Sequence, residues 1–124
     1  MPRGHVLFVD DNFICSFENC EFLRQEGFSV LAVYTAPAAL EHINRHQILS
    51  GLVTDIDLGP GDDGFAVARW ARAAYPDLPV VFISGTAAAR HAAEGVGGSE
   101  FVAKPCSPQQ IGDALSRVMH AQAA

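Results

Sequence analysis

Short apolar runs, separated by stretches with helical spacing, dominate the pattern of this chain. Apolar residues prevail at positions 5–9, 28–33, 51–54, 80–83 and 101–103. Runs this short, bounded by turn residues, are typical of buried parallel strands. The pattern therefore predicts five strands.

The segments between these runs predict five helices, over residues 12–26, 35–46, 65–75 and 86–94 and from residue 108 onward. In the first helix Phe13, Phe17 and Cys20 repeat at helical spacing. Thr35 suits the N-cap of the second, and residues 107–110 have the form of a capping box. Strict alternation of strand and helix favours a doubly wound α/β fold, with helices on both faces of a parallel sheet. No repeat or linker interrupts it, so residues 1–124 predict one domain.

Polar residues that suit phosphate chemistry follow four of the five strands. Asp10 and Asp11 follow the first, Asp55 the third, Ser84 the fourth and Lys104 the fifth. In an open parallel sheet, functional residues gather just beyond the carboxyl ends of the strands. We therefore expect three carboxylates, a hydroxyl and an ammonium to meet at one edge of the sheet.

These side chains predict a metal site and a nucleophile. Carboxylates as close as those of Asp10, Asp11 and Asp55 repel one another and call for a counter-cation. Oxygen ligands suit Mg²⁺. Zinc is disfavoured, because these strand ends carry no His or Cys. An Asp carboxylate can accept a phosphoryl group, and Asp55 is the candidate because it ends the central strand. Lys104 and Ser84 could then bind the phosphoryl oxygens.

Composition narrows the class of protein. The chain has 124 residues, of which 49% are hydrophobic and 18% charged, as expected for a folded domain. A formal net charge of −6 argues against nonspecific binding to nucleic acid or anionic membranes. No apolar run approaches the ~20 residues that span a bilayer, and the start shows no signal-peptide pattern. Cys15, Cys20 and Cys106 lack metal-ligand spacing, which predicts unpaired thiols in a reducing cytoplasm.

The motifs at the strand ends resemble the receiver domain of bacterial two-component response regulators. They are Val-Asp-Asp-Asn at 9–12, Thr-Asp-Ile-Asp-Leu at 54–58, Ile-Ser-Gly at 83–85 and Phe-Val-Ala-Lys-Pro at 101–105. The resemblance extends over residues 4–119. It implies the flavodoxin-like strand order 2-1-3-4-5, which the handedness rules alone do not give.

The resemblance also implies the roles of the acidic residues. Asp55 would be the phosphoacceptor. Asp11 would contact Mg²⁺ directly, Asp10 largely through water, and the backbone carbonyl of Asp57 would complete the metal site. The chain would catalyse only the phosphorylation and dephosphorylation of its own Asp55, and would not otherwise be an enzyme.

The remaining roles concern the signal. Ser84 would be the switch hydroxyl, Lys104 the phosphate-binding lysine and Phe101 the switch aromatic, with Pro105 following a cis peptide bond. The phosphodonor would be a histidine kinase or a histidine phosphotransfer protein. The face made by the fourth helix, fifth strand and fifth helix would bind a downstream protein target. Direct binding to nucleic acid or membrane is not expected, and a homodimer is possible.

Two alternatives compete with this hypothesis. The chain could be a receiver-fold interaction scaffold that is never phosphorylated. The intact acid pair, acceptor, hydroxyl and lysine argue against it, whereas the 57–64 loop, about one residue longer than the common pattern, leaves it open. It could instead be a phosphatase of the haloacid dehalogenase type, because residues 55–57 match that family's Asp-x-Asp motif. There, however, the acid pair comes late in the chain, whereas here it comes first. His42 and His46, four apart on the second helix, are better explained as a solvated face than as a metal site.

Overall fold

Five parallel strands form one sheet in the order β2-β1-β3-β4-β5. The structure is a computed structural model that describes residues 3–45, 48–85, 91 and 94–123. Its strands are β1 (His5–Val9), β2 (Ser29–Val33), β3 (Gly51–Asp55), β4 (Val80–Ser84) and β5 (Glu100–Ala103). The predicted doubly wound flavodoxin-like fold is confirmed, including the strand order.

Four helices with described bounds surround the sheet, namely α1 (Phe13–Gln25), α2 (Ala36–Ile43), α3 (Gly64–Ala74) and the C-terminal helix (Pro108–Ala123). The predicted fourth helix, 86–94, lies outside the described residues except for His91 and Glu94. Helix α2 ends at Ile43, earlier than predicted, and His46 lies outside the described residues. None of the helices in the described part of the chain could span a bilayer, being too short or too polar.

Side-chain caps fix where the helices begin. Asn12 accepts from the Cys15 N–H at 3.0 Å, Thr35 from Ala38 at 3.2 Å and Asp63 from Ala66 at 3.0 Å. At the C-terminal helix, Ser107 and Gln110 satisfy each other's backbone N–H groups, at 3.2 and 2.7 Å, which confirms the predicted capping box. These caps satisfy N–H groups that have no partner within a helix.

The hydrophobic core consists of one layer on each face of the sheet. One layer packs α2 and α3 against the sheet, and the other packs α1 and the C-terminal helix. Strands β3 and β4 are buried at every position because helices cover both their faces. The sheet therefore holds the carboxyl ends of its central strands in fixed positions.

Helix α1 turns a different face to the core than its aromatic repeat suggests. Phe13 is 64% exposed and Phe17 60% exposed, while Ser16, Cys20 and Leu23 form the buried stripe. Of the three residues whose spacing predicted the helix, only Cys20 lies in the core. The periodicity therefore predicted helix α1 correctly, but the rings of Phe13 and Phe17 lie on the surface and not in the core.

Candidate functional site

Three carboxylates meet at the carboxyl ends of β1 and β3. Asp10 and Asp11 directly follow β1, and Asp55 is the last residue of the neighbouring strand β3. One carboxylate oxygen from each lies within 4.8 Å of the others. Asp10 and Asp55 are buried, at 1% and 4% exposure, whereas Asp11 is exposed. The predicted acidic cluster is therefore present, and it opens to solvent through Asp11.

Asp10 has one satisfied and one unsatisfied oxygen. Its Oδ1 accepts from the Asn12 N–H at 2.9 Å, and its Oδ2 is buried with no hydrogen-bond partner among the described residues. Burial raises the pKa of Asp10; the charges of Asp55 and Asp11 act in the same direction, while the Asn12 bond and Lys104 oppose them. A buried carboxylate oxygen without a donor is costly unless a cation reaches it.

The donor set fits a small, hard divalent cation. All three side chains offer carboxylate oxygens, and Asp10 also has a buried oxygen, Oδ2, with no hydrogen-bond partner among the described residues. Mg²⁺ takes oxygen ligands, commonly one or two carboxylates with water and phosphate oxygens. The carboxylates of Asp10, Asp11 and Asp55 would hold it.

Lys104 supplies the positive charge that the acidic cluster lacks. Its Nζ donates to Asp55 Oδ2 at 2.9 Å. Burial alone would lower the pKa of Lys104, but the bond to Asp55 and the charges of Asp55 and Asp10 outweigh burial and raise it. The ammonium therefore stays charged at the position where phosphate oxygens would need a partner. The peptide bond that follows, Lys104–Pro105, is cis.

Ser84 and Asp57 are joined in a way that sequence reasoning missed. The buried Ser84 hydroxyl donates to Asp57 Oδ2 at 3.1 Å, and the Asp57 N–H donates to Asp55 Oδ1 at 3.2 Å. From the sequence, Asp57 is predicted to contribute only its backbone carbonyl, to the metal site. The structure adds that this carboxylate is an acceptor for the predicted switch hydroxyl.

Phe101 lies half-buried on the α2–α3 side of the sheet. It packs against that core layer, and its ring centroid is 5.7 Å from that of His91. His91 in turn lies 5.5 Å from Phe82 and its Nε2 is 2.9 Å from Ser99 Oγ. Phe101 thus borders both the core and the solvent.

Gly64 is a further residue at the site that sequence reasoning missed. A Cβ at this position would overlap the backbone carbonyl oxygen of Asp55 and crowd Ile56. Its N–H donates to the Ile56 carbonyl at 2.8 Å, which joins the start of α3 to the end of β3. In the sequence, Gly64 is marked only by its position next to the N-cap residue Asp63. A glycine there is indistinguishable from an ordinary loop residue until its packing is known.

An exposed apolar surface borders the acidic cluster on α1. It consists of Phe13, Ile14 and Phe17, which are 64%, 73% and 60% exposed, and we call it the α1 patch. Tyr34, after β2, stacks on Phe13 with ring centroids 5.2 Å apart. Exposed large apolar groups gathered on one side of a domain are typical of a protein-binding surface.

A family model described as the response regulator receiver domain matches residues 6–116. This chain belongs to the response regulator receiver family. The match includes β1 from Val6 onward, the other four strands and all three carboxylates of the cluster, which removes the support for the haloacid dehalogenase alternative.

Curated relatives and solved structures agree with this assignment. The chain is 32% identical to the alginate biosynthesis transcriptional regulatory protein AlgB of Pseudomonas aeruginosa, over 88% of this chain and 24% of AlgB. It is 30% identical to the transcriptional regulatory protein CreB of Escherichia coli, over 90% of this chain and 48% of CreB. The chain thus spans about a quarter of the length of AlgB and about half the length of CreB. A response regulator receiver protein from Sinorhizobium medicae superposes with a TM-score of 0.92 at 35% identity, over 96% of both chains.

Proposed function

We propose that this receiver domain is the phosphoacceptor of a two-component phosphorelay. A phosphohistidine on a histidine kinase or histidine phosphotransfer protein would donate its phosphoryl group to Asp55. The P–N bond of the donor breaks, a P–O bond forms to an Asp55 oxygen, and the donor imidazole leaves. When bound, Mg²⁺ would neutralise charge between the incoming phosphoryl group and the acidic cluster.

The observation that carries this proposal is the environment of the Asp55 carboxylate. It is buried at the end of a central strand, Lys104 lies 2.9 Å from Oδ2, and the Asp57 N–H lies 3.2 Å from Oδ1. Phosphoryl transfer depends mainly on positioning and charge neutralisation, and these contacts provide both. After transfer, phosphoryl oxygens would become the stronger acceptors for the Lys104 ammonium.

Phosphoryl uptake from acetyl phosphate tests the proposal directly. Intact mass after incubation with acetyl phosphate and Mg²⁺ should show a gain of one phosphoryl group in the wild type and none in Asp55→Asn. Asp62→Asn, which changes an exposed carboxylate in the 57–64 loop, should behave as the wild type. If the wild type gains no phosphoryl group and also fails to bind beryllofluoride, a mimic of the phosphoryl group, the unphosphorylated scaffold is favoured.

The α1 patch is our candidate for docking the protein phosphodonor. A phosphohistidine can reach Asp55 only if its protein contacts the surface around the acidic cluster, and the α1 patch is an exposed apolar part of that surface. Phe17→Ala should slow transfer from the cognate protein donor and leave uptake from acetyl phosphate unchanged. Equal slowing with both donors would place Phe17 in the fold or the chemistry and not in docking.

The signal would leave through the side of the sheet that carries β5. Ser84 would exchange the Asp57 carboxylate for a phosphoryl oxygen, and Phe101 would move inward into the space released. A groove between β5 and the C-terminal helix adjoins Phe101 and is lined further by Val102, Ala103, Gln110, Asp113 and Arg117. We propose that a downstream protein, or a second copy of the chain, binds this side, and that the protein acts in the cytoplasm.

A further inference from the structure

Two thiols share an open cavity on the α1 side of Lys104. The cavity has a volume of about 420 Å³ and lies beside the acidic cluster. Its lining is mostly apolar and consists of Cys15, Asn19, Ile83, Lys104, Pro105 and Cys106. The role proposed for Asp55 uses only Lys104 among these residues, so the two thiols are unexplained by that role.

The two cysteines come from different elements and differ in access. Cys15 lies in the first turn of α1 and is exposed, whereas Cys106 lies just before the C-terminal helix and is half-buried. The third thiol, Cys20, is 1% exposed in the core, and its Sγ is 3.8 Å from Ser16 Oγ. All three are free. The fold therefore gathers two accessible thiols in one cavity and separates the third from solvent.

Charge links the two thiols to each other and to Lys104. Burial raises the pKa of Cys106, the Lys104 ammonium acts against that rise, and a thiolate at Cys15 adds to it. The Cys15 charge likewise helps to raise the pKa of Lys104. The Cys15 sulfur thus lies close enough to act on both Cys106 and Lys104.

We propose that Cys15 and Cys106 form an oxidisable thiol pair, with a peroxide as the oxidant. The Cys15 thiolate attacks one peroxide oxygen, the O–O bond breaks, and Cys15 becomes a sulfenic acid while hydroxide leaves. The Cys106 sulfur then attacks the Cys15 sulfur, an S–S bond forms, and water leaves. In sum, two thiols and hydrogen peroxide give one disulfide and two waters. Exposure assigns the first step to Cys15 and partial burial assigns the second to Cys106.

Closing this bond would affect the acceptor site, a consequence that rests on the proposed function. A disulfide requires Cα atoms about 4.4–6.8 Å apart, so it would tie residues 104–107 to the first turn of α1. Lys104 would lose the freedom to follow a phosphoryl group on Asp55, and the α1 patch would be fixed on the same side. Oxidation would therefore reduce phosphoryl uptake.

Peroxide treatment of the full chain, with thiol counting and intact mass, tests the bond itself. The wild type should lose two of its three titratable thiols and the mass of two hydrogens, and digestion should yield a peptide linking Cys15 to Cys106. Cys20→Ala should give the same link, while Cys15→Ser and Cys106→Ser should not. A link through Cys20, a link between two chains, or oxidation of Cys15 to sulfinic acid without any link would each overturn the pair.

Uptake from acetyl phosphate then tests the consequence separately. The cross-linked wild type should lose uptake, dithiothreitol should restore it, and peroxide-treated Cys106→Ser should retain it. Unchanged uptake in fully cross-linked protein would overturn the regulatory part. Failure of reduced wild type to take up phosphate would instead count against the proposed function, because the disulfide assay does not depend on it.

Discussion

The two ends of β1 bury polar groups in opposite ways. Beyond its carboxyl end, Asp10 carries a buried oxygen with no partner among the described residues. At its amino end, His5 meets His42 of α2, with the two Nε2 atoms 3.2 Å apart, and His42 Nδ1 is also buried without a partner in that part of the chain. Burial raises the pKa of Asp10 and lowers that of His42, so each group is pushed towards its neutral form.

The difference lies in what can relieve each group. Asp10 belongs to a cluster of three carboxylates that a cation can join. The histidine pair has room for only one proton between its facing nitrogens, and His5 Nδ1 can donate to Ser29 Oγ at 3.2 Å. A proton added at His42 Nδ1 would have no acceptor among the described residues. The unpartnered oxygen at one end of the strand favours ligand binding, whereas the unpartnered nitrogen at the other end favours the neutral form of the histidine.

Gly64→Ala should have the largest effect on stability, because it disrupts the close packing of α3 against the backbone of Asp55. The new Cβ would overlap the Asp55 carbonyl oxygen, and overpacking of this kind costs about 1–3 kcal/mol. Urea unfolding should show the loss. Gly97→Ala is the control, since a Cβ there meets no atom within 4 Å. If both variants unfold at the same urea concentration as the wild type, the site end of the sheet is more deformable than described.

Asp10→Asn should separate stability from cation binding. Removing one of three mutually repelling carboxylates should stabilise the metal-free protein by about 1 kcal/mol, while Mg²⁺ affinity falls by about tenfold or more. Thermal melts with and without Mg²⁺ measure both effects.

Asp62→Asn should change neither quantity. An Asp10→Asn variant that loses stability and keeps its Mg²⁺ affinity would mean that Asp10 is a structural residue and not part of a cation site.

The histidine end predicts a pH dependence of smaller size. The pKa of His42 is lowered in the folded state, first by burial and then by His5 and Arg45. The unfolded chain therefore binds the proton more readily, and stability should fall as pH drops below about 6.5, towards the lowered folded pKa. Above that range the histidine contributes no pH dependence.

Melting temperatures measured from pH 8 to pH 5.5 in metal-free buffer should show this fall in the wild type. His42→Gln should flatten the curve, because glutamine does not titrate. His120→Gln, at an exposed position of the C-terminal helix, should leave the fall in place. An unchanged slope in His42→Gln would assign the acid sensitivity to other groups.

Asp57→Asn should have the smallest effect on stability. The amide oxygen can still accept from Ser84, and the backbone N–H still reaches Asp55, so unfolding should change by no more than about 0.5 kcal/mol. The decay rate of the phosphorylated form should be affected more than stability, because the Ser84 hydroxyl gives up its hydrogen bond to an amide oxygen more easily than one to a carboxylate. Decay can be followed by intact mass after removal of acetyl phosphate; a large loss of stability with unchanged decay would contradict the role given to Asp57.

The strands and the strand-end residues could be predicted because each depends on local signals. Apolar runs placed β1 at its observed limits, and the sheet geometry brought Asp10, Asp11 and Asp55 together. The buried face of α1 could not be found this way. A helical repeat of Phe13 and Phe17 shows the period, whereas the buried face depends on what the sheet offers as a partner.

Contacts between distant segments also escaped prediction. His5 and His42 come from different elements, as do Ser84 and Asp57, and nothing in either local sequence marks the partner. Gly64 was missed for the same reason, since its need for a missing side chain comes from the Asp55 carbonyl. Local sequence patterns therefore predict which residues lie at the site, whereas the contacts that hold those residues in place can be seen only in the tertiary structure.

The strand order has a mechanical consequence for the acceptor and its cation. Asp55 ends β3, which is hydrogen-bonded on both sides, whereas Lys104 follows β5, an edge strand held on one side only. A strand with one neighbour yields to force more readily than a strand with two. The Lys104–Asp55 contact thus joins a compliant support to a stiff one, so any strain from a new group on Asp55 would be taken up by β5 and passed to the outer edge of the sheet.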